Sequence, residues 1–598
     1  MRILLAAALL WPAPPPAAPP PAAPPMAAPL PAAPSDLHPC AAASIRCEGE
    51  ISVPLNWSDP GGERIRVAFA WLPAARAKGT VLADPGGPQP ALPALPIIEE
   101  TLGPVLRDHN LLVVEPRGQG RSSPLRCQGL DLARPSTVAS CAAQLGPRAQ
   151  YFATDQAVSD LDAVRQALGV PKVSFYGNSY GTLFAQAYAA RFPDRTAAVF
   201  LDSVVTPSPA GHATWPIRFR LDNLDLVCRS SSACARLPGE AGRTFARLVK
   251  RVRAHPDPEL PMRALIALSR SPQEATVGRE LAAATGSYLR GDRAPLHRLA
   301  EVVRAMPMPP TAGAEWAGYV AYLCNDGAFA FDRTAGAARR AAQLAAYHAG
   351  ERPTYPFTLA ELGGMTPAHL CVDWPTPRDE PPVPPAAAFP AVPALAVAGD
   401  FDTHGPAEVS PVIRRFPRGT LLPVRYGAHS MAWSEGCART VLRAFLSDPG
   451  RPPAVTGCDL ANYTAVGSFP LSGADVKPMP ARTLPARDRR PAAVGYATAA
   501  DVLSRRNPLS FLHAGLTEQA GLRGGRVTFT GDGRVIRLDQ VRYTADVAVS
   551  GTLTLGETVS ADLTVDGRAV KLSWKPFQAT ERTAISGSVD GRPFTSLS

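Results

Sequence analysis

The chain has 598 residues, which is too long for one ordinary domain. Hydrophobic residues make up 46% of it and charged residues 19%, so it can bury a sizeable core. Its net charge is +10, but the basic residues are scattered and form no stripe with interleaved aromatic residues, which argues against nucleic acid as a partner.

The N-terminus has the pattern of an export signal. Arg2 gives a positive start, and residues 3–11 are an apolar stretch of signal-peptide length, too short to span a bilayer as a helix. Residues 12–34 are almost entirely Pro and Ala, which is typical of an extended tether. We interpret residues 1–34 as a signal peptide and linker. Because no later run reaches transmembrane length and the residues before Cys40 do not fit a lipid-anchor signal, we expect a released, extracellular protein.

The ten cysteines agree with export, since an even number in an oxidising compartment suggests disulfides. They fall into sequential near neighbours, although spacing alone does not establish the connectivity. The pairs we expect are 40–47, 127–141, 228–234, 324–371 and 437–458. Neither a CxxC nor an HExxH motif is present, so we expect no metal and no cofactor.

Short apolar runs that alternate with helical patterns predict the first domain. Extended segments at 51–59 and 64–72 come first, and the apolar runs that follow lie at 80–83, 111–114, 172–176, 197–201, 394–398 and 420–425. Near-continuous apolar strands suit a parallel sheet covered on both faces. Helical patterns at 157–168, 180–191 and 433–447 lie between them. We therefore expect a doubly wound α/β domain over 35–205 and 389–460.

The alternation is interrupted over residues 206–388, where the pattern is mostly helical. Amphipathic segments lie at 216–228, 242–253, 278–290, 295–305, 314–323 and 334–348. A helical insertion in an α/β sheet is naturally placed as a cap over the carboxyl edge of the sheet, where such folds bind ligands.

The C-terminal part has a different pattern. Residues 461–500 are Pro-rich and predict a linker, with a short helix at 498–505. We predict a β-rich domain over residues 501–598, because alternating runs are separated there by Gly-Asp-Gly, Ser-Gly and Asp-Gly turns. We expect a small antiparallel sandwich or barrel that serves adhesion, stability or docking.

The sharpest chemical signal is Gly177-Asn-Ser179-Tyr-Gly181, between a predicted strand and a predicted helix. A strand–GxSxG–helix arrangement is the nucleophile elbow, which presents a serine hydroxyl on a tight turn. A serine hydroxyl needs a base to take its proton, and in this arrangement the acid and then the histidine follow along the chain. Asp402 follows one later strand and His429 follows the next. We assign Ser179 as nucleophile, His429 as base and Asp402 as the acid that orients it.

Two residues near the predicted acid allow other interpretations. Asp400 is the alternative acid, and it could equally form a turn. His404 precedes the next strand, and we interpret it as a loop residue.

An acyl-transfer site also needs two backbone N–H donors for the oxyanion. The first is expected from Tyr180, the residue after the nucleophile. The second is expected from the loop 84–88, where glycine lets backbone approach a ligand closely. We choose Gly87, with Gly86 as the alternative.

Over residues 40–460 the chain resembles the secreted tripeptidyl aminopeptidases and related exopeptidases of the proline iminopeptidase superfamily. The stretches that carry the resemblance are Cys47 with residues 53–60 (VPLNWSDP), 85–88 (PGGP), 115–122 (EPRGQGRS), 160–169, 177–182 (GNSYGT), 322–326 (YLCND), 371–374 (CVDW), 399–402 (GDFD) and His429.

The resemblance implies an α/β-hydrolase fold and an enzyme that removes residues or short peptides from free N-termini. It also implies an acidic group in the cap that holds the substrate's α-amino group, for which Asp326 is a candidate by position. A structural role beside a disulfide is an equal alternative for this residue. The chain departs from the family at Gln89 and Pro90, where the oxyanion loop usually continues with Gly and small residues.

Two further functions stay open. A carboxylester or other acyl hydrolase would use the same three residues. A non-catalytic binding protein of the same fold is suggested by the altered loop at Gln89 and by the β-rich C-terminal part.

Overall fold

A computed structural model gives the fold of the chain. It describes residue 40 and residues 46–597, apart from 207–220, 230, 272–273, 305–309, 365, 377, 379–380, 435, 452–464, 507–516, 531–532 and 577–582. The expected signal peptide and linker at 1–34 lie outside the described residues.

The first sheet has eight strands in the order β1-β2-β4-β3-β5-β6-β7-β8. β1 and β2 pair antiparallel with each other, and β2 pairs antiparallel with β4, whereas all other neighbours are parallel. The strands are β1 (Cys47–Pro54), β2 (Arg64–Leu72), β3 (Gly79–Asp84), β4 (His109–Val114), β5 (Val173–Asn178), β6 (Thr196–Asp202), β7 (Pro393–Gly399) and β8 (Arg418–Val424). The mostly parallel sheet predicted from the apolar runs is thus confirmed.

The α-helices within the described residues are numbered in chain order. They are α1 (Leu95–Leu102), α2 (Pro135–Leu145), α3 (Thr154–Ala167), α4 (Gly181–Arg191), α5 (Leu221–Arg229), α6 (Ser232–Ala235), α7 (Ala241–Ala254), α8 (Met262–Ser269), α9 (Ala275–Leu289), α10 (Ala294–Arg304), α11 (Trp316–Asp326), α12 (Ala337–Glu351), α13 (Pro367–Leu370), α14 (Pro406–Ile413), α15 (Met431–Ser434), α16 (Gly436–Ser447) and α17 (Ala486–Ser504).

Both faces of the sheet are buried, which is why its strands are almost continuously apolar. On β4, Leu112 and Val114 belong to one apolar core, whereas Leu111 and Val113 belong to another. Residues of α3, α4 and α14 pack in the first core, and residues of α1 and α16 pack in the second. Helices on both faces make this the doubly wound α/β arrangement that the sequence predicts.

The helical insertion has two parts that pack in different cores. Helices α5 to α10 surround a core of their own, which also includes Phe401 and Tyr426 from the loops after β7 and β8. Helices α11 to α13 instead contribute to the core on one face of the sheet, through residues such as Val320 and Leu344. The first part therefore contacts the loops at the carboxyl edge, and the second part extends the α/β core.

The C-terminal strands form one antiparallel sheet in which each strand pairs with its neighbours in the chain. Helix α17 packs against it, and a Cβ on Gly495 of the helix would lie only 3.1 Å from Val565 Cγ2 of the sheet. The strands are β9 (Glu518–Ala520), β10 (Arg526–Phe529), β11 (Val535–Val541), β12 (Val549–Leu555), β13 (Val559–Val565), β14 (Arg568–Trp574), β15 (Ala584–Val589) and β16 (Arg592–Leu597).

Two predictions for this region are wrong in detail. Within the described residues a helix, not a second sheet, covers the buried face, so the region is neither the sandwich nor the barrel we expected. Alternation of apolar and polar residues specifies one buried face but not what covers it. The helix also begins at Ala486 rather than at residue 498, because an Arg-rich stretch and Pro491 at its start resembled a linker.

A buried ionic cluster joins the insertion to the C-terminal region. The Arg298 guanidinium on α10 donates to both carboxylate oxygens of Asp501 on α17, at 2.6 and 2.8 Å. It also donates to Glu280 on α9 at 2.9 Å. Leu522 packs in the same core as helices α5 to α10. The C-terminal sheet is therefore attached to the insertion through polar and apolar contacts.

Four of the five expected disulfides are present. They join Cys40 to Cys47, Cys127 to Cys141, Cys228 to Cys234 and Cys324 to Cys371. The fifth expected pair includes Cys458, which lies outside the described residues. In the part of the chain that the structure describes, no helix is both long and apolar enough to cross a membrane.

Candidate active site

Ser179 lies on a tight turn between β5 and α4. Its backbone φ is 52°, in the left-handed region that residues other than Gly rarely adopt. A Cβ on Gly177 would lie 2.4 Å from the Gly181 carbonyl oxygen, and a Cβ on Gly181 would lie 2.5 Å from the Asp84 carbonyl oxygen. Both positions therefore require glycine, which is the physical reason for the GxSxG pattern.

The structure brings the three predicted residues together at the carboxyl edge of the sheet. The His429 Nε2 atom lies 2.8 Å from the Ser179 Oγ atom, and His429 Nδ1 lies 2.7 Å from Asp402 Oδ1. Asp402 Oδ1 also accepts the Thr403 N–H at 2.6 Å. Because β5, β6, β7 and β8 are sheet neighbours, the loops that follow them meet at one place.

The two alternatives near the acid lie elsewhere in the loop. Asp400 Oδ2 accepts the Tyr426 N–H at 3.1 Å, so this carboxylate stabilises the turn after β8. His404 is buried, and its Nδ1 lies 2.9 Å from the Val204 carbonyl oxygen. Neither side chain bonds the His429 ring, so the geometry favours Asp402.

The charges around His429 favour its protonated form. Burial lowers the pKa of the imidazole, but the charge and hydrogen bond of Asp402 and the charge of Asp202 raise it further, so the pKa lies above its ordinary value. The side chain is still 41% exposed, so water and substrate can reach it.

These charges predict the acid limb of the pH profile. A base must be neutral to accept a proton, and a raised pKa keeps His429 protonated to a higher pH. We expect kcat/KM to rise with pH through a midpoint above 6.5, the ordinary value. Measuring kcat/KM against pH at constant ionic strength checks this, and a midpoint well below 6.5 would contradict it. Asp402→Asn should lower the midpoint, since it removes a negative charge beside the ring.

The loop after β3 packs directly on the turn that carries Ser179. Gly86 and Gly87 have φ values of 88° and 118°, and a Cβ on Gly86 would lie 2.8 Å from the Tyr180 nitrogen. The Gly86 N–H donates to Asp84 Oδ1 at 2.8 Å. Among the described residues, the N–H groups of Gly87 and Tyr180 have no protein acceptor. The geometry thus favours Gly87 over Gly86 as the second oxyanion donor.

The unusual residues of this loop lie on its outer side. Gln89 and Pro90 are exposed, and Gln89 closes a turn by donating its N–H to the Gly86 carbonyl oxygen at 3.2 Å. The Pro88 carbonyl oxygen accepts the side-chain amide of the buried Gln119 at 3.2 Å. The departure from the family pattern therefore leaves the packed part of the loop, against Ser179, intact.

Two supporting residues were missed in the sequence. The Asn178 side-chain amide donates to the Pro85 carbonyl oxygen at 3.0 Å and to Ser430 Oγ at 3.1 Å, which connects the loop after β3 to the histidine loop. Asp202, at the end of β6, accepts the N–H groups of Met431 and Ala432 at 3.1 and 2.8 Å. A polar residue at the carboxyl end of an apolar strand was the available signal for Asp202.

Asp326 is not placed to hold a substrate amine. Its carboxylate accepts the Thr154 N–H at 3.1 Å and the Thr154 and Tyr180 hydroxyls at 2.7 Å each. The residue is 5% exposed, and these donors occupy it inside the protein. Burial raises the pKa of Asp326 to about 6 although these hydrogen bonds lower it. Asp326 links α11 to α3 and to Tyr180, the residue after Ser179. These contacts support a structural role for Asp326 rather than a role as the anchor of the substrate amine.

The arrangement defines a class of protein. A hydroxyl, an imidazole and a carboxylate joined by hydrogen bonds, beside two backbone N–H groups, can carry out acyl transfer without a metal or cofactor. No group of three or more His, Cys, Asp or Glu side chains that could hold a metal ion occurs in the described ranges. The protein is a serine hydrolase.

Comparison with known proteins supports this class. The family described as alpha/beta hydrolase fold matches residues 86–430, more than half of the chain. The chain belongs to this family. A serine protease, Hip1 of Mycobacterium tuberculosis, is 25% identical over 471 residues, which cover 69% of this chain and 86% of Hip1.

Two further proteins also resemble the chain. A tripeptidyl aminopeptidase of Streptomyces coelicolor is 28% identical over 209 residues, which cover 29% of this chain and 38% of that enzyme. The solved structure of a proline iminopeptidase from Mycobacterium smegmatis aligns with a TM-score of 0.30 and 17% identity, over 66% of this chain and 97% of that one. The matches to Hip1 and to the tripeptidyl aminopeptidase confirm the resemblance to peptidases noted in the sequence.

Proposed function

We propose that the protein is an exported serine exopeptidase that releases residues or short peptides from free N-termini through an acyl-enzyme on Ser179. The observation that carries the proposal is the hydrogen-bonded chain from Ser179 through His429 to Asp402. The peptidases among its relatives favour a peptide over another acyl substrate.

In the proposed reaction, His429 Nε2 takes the hydroxyl proton as Ser179 Oγ attacks the carbonyl carbon of the substrate. The N–H groups of Tyr180 and Gly87 stabilise the oxyanion, and Asp402 stabilises the imidazolium. His429 then protonates the leaving amine, and the C–N bond breaks. A water molecule, deprotonated by His429, hydrolyses the ester on Ser179 and restores the enzyme.

The helical insertion supports a preference for chain ends. Its core includes Phe401, which precedes the acid, and Tyr426, in the loop that leads to His429. Helices α5 to α10 therefore lie against the same loops that carry the proposed catalytic groups. We propose that α5 to α10 of the insertion 206–388 form a cap that restricts access to substrate termini, whereas α11 to α13 extend the catalytic core of residues 35–205 and 389–460. The C-terminal domain begins before residue 501, since α17 belongs to its core.

Secretion is part of the proposal. Four disulfides in the described residues support an oxidising compartment, where such bonds persist. The expected signal at residues 1–34 provides the route, and N-terminal sequencing of the protein from culture medium tests it.

Activity measurements on matched substrates test the proposed reaction. The panel contains peptide amides with free N-termini, the same peptides with blocked N-termini, and simple acyl esters. We expect free peptides to be preferred. Ser179→Ala should lower the rate by at least about a thousandfold, because it removes the nucleophile and leaves only the oxyanion donors and binding.

Each other outcome has a distinct meaning. If the protein hydrolyses esters but no peptide amide, its function is that of a carboxylester or acyl hydrolase with the same three residues. Equal activity of Ser179→Ala and the parent would overturn the assignment of the nucleophile. Failure of the folded parent to react with any substrate or with a fluorophosphonate would favour a binding protein of this fold.

A further inference from the structure

A buried carboxyl group lies directly behind the proposed oxyanion site. Asp84 ends β3 and is only 4% exposed. Its Oδ1 atom accepts the Gly86 N–H at 2.8 Å, whereas its Oδ2 atom is buried without a hydrogen-bond partner among the described residues. A buried carboxylate is normally balanced by a cation or by several donors. With one donor, this environment fits a neutral carboxyl group.

The titratable groups that face Asp84 do not supply the missing charge. Glu115, after β4, adds negative charge, and its own oxygens accept the N–H groups of Leu92 and Arg121. Tyr322 of α11 donates its hydroxyl to the Arg117 carbonyl oxygen. Burial raises the pKa of Asp84, the Gly86 N–H lowers it and Glu115 raises it again, to about 7.

The same carboxyl group contacts both segments that supply the proposed oxyanion donors, the loop after β3 and the start of α4. A Cβ on Gly181 of α4 would lie 2.6 Å from Asp84 Oδ1, so the carboxyl touches the helix that begins after Tyr180. Its hydrogen bond to the Gly86 N–H also holds the loop that carries Gly87. That loop packs closely on the nucleophile turn, since a Cβ added to Gly86 would lie 2.8 Å from the Tyr180 nitrogen. Asp84 accepts the Gly86 N–H, and among the described residues the neighbouring Gly87 N–H has no protein acceptor.

We infer that Asp84, in its neutral form, is a positioning residue that fixes the oxyanion loop, and that its ionisation places a negative charge behind the developing oxyanion. The inference rests on the proposed function. A like charge close to the oxyanion in a poorly solvated site opposes the stabilisation that the two N–H groups provide. The reaction of Ser179 should therefore slow above neutral pH, in addition to the acid limb set by His429.

Asp84→Asn separates the effect of the charge from that of the geometry, because the amide oxygen can accept the Gly86 N–H but the side chain cannot ionise. The readout is the second-order rate constant for labelling of Ser179 by a fluorophosphonate across the acid, neutral and alkaline range. It does not depend on the natural substrate. Asp84→Asn should match the parent within about threefold at neutral pH and lose the alkaline decline. Asp84→Ala should be slower by about tenfold or more throughout, since the loop loses its anchor.

A control separates this effect from the loss of any carboxylate. Asp108→Asn removes a partly exposed carboxylate, paired with Lys78, beside the start of β4 at the other end of the sheet, and should leave the profile unchanged. Thermal melting identifies any variant that does not fold, and the Asp84→Asn profile decides the inference even if Asp84→Ala is unfolded.

The results divide clearly. Three outcomes would overturn this inference and leave the proposed function standing. Asp84→Asn could retain the alkaline decline, or lose as much labelling rate as Asp84→Ala. Alternatively, Asp84→Ala could be labelled as fast as the parent. Absence of labelling of the folded parent at every pH would overturn the proposed function and this inference with it.

Discussion

Replacing Asp402 with asparagine should lower kcat by about ten-thousandfold with little effect on folding. Asp402 accepts a hydrogen bond from His429 Nδ1 at 2.7 Å, which leaves Nε2 free to accept the Ser179 proton. An asparagine can present its NH₂ group to Nδ1 and so stabilise the wrong tautomer, and it cannot stabilise the imidazolium that forms. Steady-state kinetics on the preferred amide, with a circular-dichroism melt of each variant, provide the measurement.

Asp400→Asn is the matched control, because the same substitution is made two residues away. Asp400 Oδ2 bonds the Tyr426 N–H, and an asparagine oxygen can accept the same bond. We expect kcat to change by less than about tenfold, which corresponds to less than about 1.4 kcal/mol. A large loss in Asp400→Asn together with an active Asp402→Asn would reverse the assignment of the acid.

The second large effect concerns stability. Arg298→Met should reduce the free energy of unfolding by about 3–5 kcal/mol, because it removes the guanidinium that hydrogen-bonds the buried Glu280 and Asp501 and leaves only the charge of Arg505 near both. The methionine keeps most of the apolar volume of the side chain, so the loss reports the charge. Urea unfolding at neutral pH, followed by intrinsic fluorescence, measures it.

Arg243→Met is the comparison for this variant. The Arg243–Glu240 pair lies on the surface, with the side chains 83% and 57% exposed, so its loss should cost no more than about 1 kcal/mol. Adding Glu280→Gln to Arg298→Met should recover part of the stability, since one uncompensated carboxylate disappears while Asp501 remains to balance the buried Arg505. Equal effects of Arg298→Met and Arg243→Met would contradict the buried cluster.

The cluster also gives stability a pH dependence of known sign. Burial raises the pKa of Asp501, but the charge and hydrogen bonds of Arg298 bring it below the ordinary value. A carboxyl group with a lowered pKa stabilises the folded state above its unfolded pKa of about 3.9 and loses that contribution as the pH falls through the folded value. The contribution of this cluster to the free energy of unfolding should therefore decrease in strong acid.

The C-terminal region illustrates where sequence reasoning failed. Its strands follow a period of two, which identified them but left open what covers their buried face. That surface is covered by α17, whose first turns carry an Arg-rich stretch and Pro491. Local composition suggested a linker there, but burial of Ala492, Val494 and Val502 against the sheet stabilises a helix.

By itself, the sequence determined the α/β-hydrolase class, the helical insertion and the positions of Ser179, Asp402 and His429 in their loops. These follow from local patterns, because a strand buried on both faces is apolar throughout and loops after parallel strands meet at one edge. Only the tertiary structure decided that Asp326 is occupied by Thr154 and Tyr180, that Asp84 is buried with one donor, and that Arg298 bonds Asp501. Burial and hydrogen-bond partners depend on residues far apart in the chain, and no local pattern records them.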